Sequence, residues 1–106
     1  MIIVMTTIDS EEKADVLARS VVEARLAGCV QVLPPMRSCD FWEGEVRRDT
    51  EHLLLIKTLE QKYSELEAHI IANHSYEVPE VLALRAESVS SAYASWLSDY
   101  LFARLG

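Results

Sequence analysis

A chain of 106 residues is the size of one domain, and half of it is apolar, enough for a compact core. Its formal net charge of −7 argues against nucleic acid or an anionic membrane as partner, since the one basic dipeptide, Arg47-Arg48, sits among Glu45, Asp49 and Glu51. No apolar run approaches the roughly 20 residues of a membrane helix, and Cys29 and Cys39 lack CxxC spacing, which suggests free thiols in a cytoplasmic protein.

Residues 1–8 are nearly all apolar or β-branched and predict a strand buried on both faces rather than a signal peptide. Asp9 and Glu12 form a capping box, so a helix is expected from about Ser10. Ala14, Leu17, Ala18, Val21, Val22 and Leu26 share one helical face, and Gly28 is the expected stop. Cys29 to Leu33 resumes a strand pattern, which Pro34-Pro35 forces to bend or to lie at an edge. Ser38 to Trp42 is extended, Glu43-Gly44 is a turn, and Glu45 to Arg47 runs back as a long hairpin. The Arg47–Thr50 cluster predicts a bulge or twist before the apolar strand His52–Thr58. Thr58 and Gln61 form a second capping box, with Leu59, Tyr63, Leu66 and Ile70 at helical spacing up to about Asn73. Glu80 to Ala86 reads as another strand, and Ser90 or Ser91 caps a last helix striped by Tyr93, Leu97, Tyr100 and Leu101.

The order is β-α-β-β-α-β plus a C-terminal helix, an α+β, ferredoxin-like split βαβ arrangement with an antiparallel sheet, in a single domain spanning 1–106. Right-handed crossovers place both main helices on one face of that sheet. Strands 1–8 and 52–58 are then central, in keeping with their continuous apolar runs. The other face also carries aliphatic side chains that the short last helix cannot cover. An oligomer that buries this face and pairs the Phe41-Trp42 hairpin is therefore expected.

Between the second helix and the next strand lies Asn73-His74-Ser75-Tyr76-Glu77-Val78-Pro79-Glu80, where an imidazole, a phenol and two carboxylates crowd into one non-periodic segment. Pro79 suits the first residue of a strand and pushes Val78 out of the helical region. Polar residues on a connection held between two rigid elements often bind ligands. The plain alternative is that His74 only caps a helix and Tyr76 only fills space.

Leu26-Ala27-Gly28-Cys29-Val30, Ser38 with Trp42-Glu43-Gly44-Glu45, Leu54-Leu55-Ile56-Lys57-Thr58, His74-Ser75-Tyr76-Glu77-Val78-Pro79-Glu80 and Ala92-Tyr93 with Trp96-Leu97 stand in the order and spacing of one family. Across nearly its whole length the chain resembles the CutA family of divalent-cation tolerance proteins. The resemblance implies a ferredoxin-like fold, a tight homotrimer whose architecture resembles the PII signalling proteins, a role in tolerance of copper and other divalent metals, and no established reaction. Some members carry a cysteine at position 5 and a histidine at position 73 that, with His74, look like metal ligands. Here Met5 and Asn73 stand there, Ser75 replaces the usual proline, and Gln31 replaces the usual asparagine.

Two kinds of site follow as expectations. One is a copper or other divalent-metal site centred on His74, with Met5 and Cys29 as companions, because imidazole, thioether and thiolate are the donors such ions accept. The other is a small-molecule cleft between subunits lined by Trp42, Lys57, Tyr76, Glu77 and Tyr93; interface packing of the aromatic residues is its alternative. A catalytic role is not expected. The loop Thr6-Thr7-Ile8-Asp9 has neither the glycine nor the arginine of a phosphate cradle, and no nucleophile–base pair stands at suggestive spacing. An RNA-binding sheet would need exposed aromatic residues beside basic ones.

Overall fold

The computed structural model describes residues 1–103. The elements are β1 (Ile2–Ile8), α1 (Glu11–Glu23), β2 (Cys29–Val32), β3 (Met36–Trp42), β4 (Glu45–Thr58), α2 (Tyr63–Asn73), β5 (Leu82–Arg85) and α3 (Ser91–Leu101), with one 3-10 turn at Glu60–Lys62 before α2. The antiparallel sheet runs β2-β4-β1-β5, with β3 continuing along β4 beyond β2. β1 and β4 are therefore central, as their unbroken apolar runs require.

Alternation along the central strands makes two faces. Ile2, Val4 and Ile8 of β1 and Leu54 and Ile56 of β4 are buried beneath the helices, against Ala14, Leu17 and Val21 of α1 and Leu66 and Ile70 of α2. His69 on α2 hydrogen-bonds Ser20 on α1 at 2.9 Å, holding the two helices side by side. The opposite face carries Ile3, Met5, Leu53 and Leu55, all half-buried. The β1–β5 register adds Leu84 beside Ile3 and Leu82 beside Met5, which are 55% and 40% exposed. This apolar face stays open in the single chain.

Several local expectations are corrected. The N-cap of α1 is Ser10, whose hydroxyl accepts from the Lys13 amide at 3.3 Å; Asp9 instead lies 3.7 Å from the Lys13 ammonium. Gly28 does not stop α1. The helix ends at Glu23, and Arg25 takes the left-handed conformation at φ 56°. That costly geometry is held by Arg25, which donates to the Tyr100 carbonyl at 2.7 Å and lies 4.4 Å over the Tyr100 ring. Gly28 is required for space, because a Cβ would collide with the buried Leu97 side chain and press on Trp96 at 3.3 Å. Thr58 caps nothing: it ends β4, and its hydroxyl donates to the Leu26 carbonyl at 2.7 Å, while α2 begins without a side-chain cap.

The Arg47–Thr50 stretch holds no bulge. β4 is one continuous 14-residue strand. The irregularity lies opposite it. Val32 pairs with Leu54 and Met36 with Glu51, so four steps on the β2–β3 side span three on β4. The extra residue falls at Pro34-Pro35, which cannot donate to the ladder. Beyond this bend, β3 and the outer half of β4 form a two-stranded arm with Phe41, Trp42 and Val46 exposed. The radius of gyration of 14.7 Å exceeds the ~13 Å of a compact chain this long, as a projecting arm requires. β5 begins at Leu82 rather than Glu80, so Pro79 lies in the connection before the strand.

Candidate functional site

α2 ends at Asn73, and His74 leaves it in an extended conformation (φ −96°, ψ 145°). This turns the ring toward the end of β1. Nε2 donates to the Thr7 carbonyl at 2.8 Å, and Nδ1 accepts from the Tyr76 amide at 3.0 Å. A carbonyl only accepts and an amide only donates, so the ring is a neutral imidazole protonated at Nε2. His74 thus ties the connection to the sheet, and its ring stands 4.7 Å from that of Tyr76.

Tyr76 continues the chain of contacts. Its hydroxyl donates to Glu51 Oε2 at 2.7 Å. Burial raises the phenol well above its ordinary range; the hydrogen bond to Glu51 and the charges of Glu51, Asp9 and Asp49 raise it further. Glu51 itself is buried, with 6% of its surface exposed, where the arm leaves the sheet. Next to it, His52 is buried and donates from Nδ1 to the Leu33 carbonyl at 3.0 Å, closing the backbone group before the Pro34-Pro35 bend.

The arm and the 76–80 connection enclose a cleft of about 830 Å³ whose walls include Trp42, Tyr76 and Glu77. The other two residues expected there, Lys57 and Tyr93, are elsewhere in the same chain. Lys57 pairs with Cys29 across β4 and β2. Tyr93 lies on α3 beside the Cys29 thiol; burial first, and then that thiol, raise its phenol. Lys57, Cys29 and Tyr93 therefore form a second group at the opposite end of the sheet.

The metal-site residues do not converge within the chain. Met5 and Cys29 share the open sheet face, but the registers separate them by two strands and two residues, about 12 Å between Cα atoms. His74 has both ring nitrogens engaged. Among the described residues no three His, Cys, Asp or Glu side chains are grouped to hold a metal ion. The donor set present does not fit a resident copper ion within one chain.

Glu51 is the site residue that sequence reasoning overlooked. Its signal was its place in the alternation: counting back from Leu55 and Leu53 puts residue 51 on the open face, next to a buried strand rather than in solvent.

Residues 2–100 match the family described as CutA1 divalent ion tolerance protein. The chain belongs to this family. Among solved structures, the divalent cation tolerance protein Cut A1 from Thermus thermophilus superposes with a TM-score of 0.88 at 41% identity, covering 92% of this chain and 95% of that one. CutA1 from Oryza sativa superposes at 0.90 with 40% identity, over 93% and 91% of the two chains. A curated relative, the chloroplastic protein CutA of Arabidopsis thaliana, is 42% identical over 98 residues; this chain spans about half that protein's length, 54%. These solved structures share the ferredoxin-like arrangement of this chain. The family's description is that of divalent ion tolerance proteins.

Proposed function

We propose that this chain works as a homotrimer in the cytoplasmic response to divalent metal ions, and that it does so by sensing a ligand rather than by catalysing a reaction. The observation that carries the assembly is the open apolar face of Ile3, Met5, Leu53, Leu55, Leu82 and Leu84. A contiguous apolar patch of several hundred Å² marks a buried contact on a soluble protein, and closure of three sheets about a common axis buries it on every copy. The cleft lies on the same side of the sheet, because Glu51 and Thr7 continue the alternation of Leu53 and Met5. In a closed ring, the Lys57–Tyr93 end of one copy would face the Trp42–Tyr76–Glu77 end of the next, uniting the five residues expected to form one site.

Of the two modes open to such a trimer, a PII-like ligand sensor is favoured over direct copper capture by His74, Met5 and Cys29. A metal at His74 would cost either the Thr7 or the Tyr76 hydrogen bond, each part of the folded connection. Both cysteines are free, which supports the cytoplasmic location.

Two experiments test this. Leu84→Asp, at the open face, is expected to dissociate the assembly, while Val16→Asp on the exposed side of α1 leaves it intact. Equal masses for Leu84→Asp and wild type would refute closure through this face. Copper titration of wild type beside His74→Ala is expected to give matching isotherms; site-specific binding lost only in His74→Ala would restore the metal-capture mode.

A further inference from the structure

The cleft beneath the arm is strongly anionic. Six carboxylates line it, those of Asp9, Asp40, Asp49, Glu51, Glu77 and Glu80, against Arg37 and Arg47. Arg47 is drawn toward the arm tip by Glu43 at 3.5 Å and Glu45 at 4.0 Å. Arg37 alternates onto the opposite face of the ribbon from Glu51.

Glu51 is the side chain that points to a ligand. It is 6% exposed and borders the cleft, yet no lysine, arginine or histidine among the described residues pairs with it. Oε2 accepts from Tyr76, while Oε1 has no partner among the described residues and is not sealed from the cleft. Buried carboxylates ordinarily face a cation, because desolvating the charge alone is costly.

The form of the array defines the cation. A point ion such as a divalent metal needs several donors on one centre, and these acids are not grouped that way. They are spread along a ribbon and a connection, and Trp42 shares the ribbon face of Asp49 and Glu51, whereas Phe41 alternates onto the other face with Arg37. Separated carboxylates beside an aromatic ring complement separated ammonium groups joined by methylenes, the methylenes lying on the ring and the ammoniums taking both carboxylate and cation–π contacts.

We propose that the cleft binds a linear aliphatic polyamine, one ammonium seated at Glu51 Oε1 and the others among Asp49, Glu77 and Glu80, and that it rejects nucleotides and other anions. The assignment rests on the cleft alone and stands whether or not the chain responds to metals. A neighbouring copy's Lys57 would leave the excess of carboxylates in place.

Calorimetric titration of the full chain with spermidine, at fixed ionic strength, tests it. Spermidine is expected to bind at one site per chain with a change in Trp42 fluorescence. Glu51→Gln, which keeps an acceptor for Tyr76, should weaken binding by about tenfold or more; Asp49→Asn should weaken it less, and Asp15→Asn on the far side of α1 not at all. If Glu51→Gln does not fold, Asp49→Asn against Asp15→Asn carries the comparison. ATP should neither bind nor compete. Equal weakening by Asp15→Asn would mean diffuse surface attraction and would overturn the proposal, as would competition by ATP. No uptake of spermidine by wild type, together with identical shifts in self-association for Glu51→Gln and Lys57→Ala, would assign the cation at Glu51 to a second copy's lysine and would also overturn it. A monomeric wild type that still binds spermidine would sink the trimer and leave this site standing.

Discussion

Tyr76→Phe isolates the contact that joins the connection to the arm. The substitution keeps the ring and its place beside His74 and removes one hydroxyl, which donates to the buried Glu51 at 2.7 Å. A hydrogen bond to a charged acceptor is worth about 1.5–3 kcal/mol, and its loss leaves a buried oxygen without a donor. A loss of about 2 kcal/mol is expected. With an unfolding entropy of ~0.2 kcal/mol/K for a chain this size, that lowers Tm by about 10 °C. Thermal melts of both proteins at one protein concentration read it directly, since association also shifts Tm. The same bond predicts a pH signature. Burial first, then Glu51, raises the Tyr76 phenol above its ordinary value in the folded state. The folded chain therefore keeps a proton that the unfolded chain loses. The stability from this group is complete below about pH 10 and is lost as pH rises above that value. Wild type should thus lose stability in alkali more steeply than Tyr76→Phe, with Tyr63 and Tyr93 common to both. A Tm change under about 2 °C, or parallel alkaline limbs, would refute the coupling of Tyr76 to Glu51.

Other substitutions probe the frame around the site. Thr58→Val leaves the Leu26 carbonyl without its buried donor and should cost about 1–2 kcal/mol in urea unfolding. Thr6→Val, in the same sheet, should be neutral or stabilising by up to about 1 kcal/mol, because the Thr6 hydroxyl is buried with no partner. Gly28→Ala should destabilise by about 1–3 kcal/mol and alter the near-ultraviolet dichroism of Trp96, since the added methyl meets Leu97 and Trp96. Ser10→Ala should cost about 1 kcal/mol through loss of the α1 cap.

The parts of the fold legible in the sequence are those set by local periodicity. The continuous apolar runs of 1–8 and 52–58 marked the central strands, and the α1 stripe at Ala14, Leu17 and Val21 faced the core. What escaped was set by distant partners. The prolines announced a bend at 34–35, but only the register against β4 shows that the extra residue lies there and not at 47–50. Gly28 looked like a helix stop because Gly often is one; its requirement comes from Leu97 on α3, far along the chain. For the site, the 74–80 segment was recognisable from its crowded polar residues, and Trp42, Tyr76 and Glu77 do share a cleft. Lys57 on β4 and Tyr93 on α3 lie apart from them within one chain, a distance that helix and strand patterns do not reveal. Glu51 was hidden among the charges of the arm, although its side chain is buried.

The central claim is that the aliphatic side of the sheet is closed by copies of this chain. Light-scattering mass across a micromolar dilution series tests it most directly. A constant mass of about three times the 12.0 kDa chain is the expected result; a species of 12.0 kDa that persists at every concentration would contradict it.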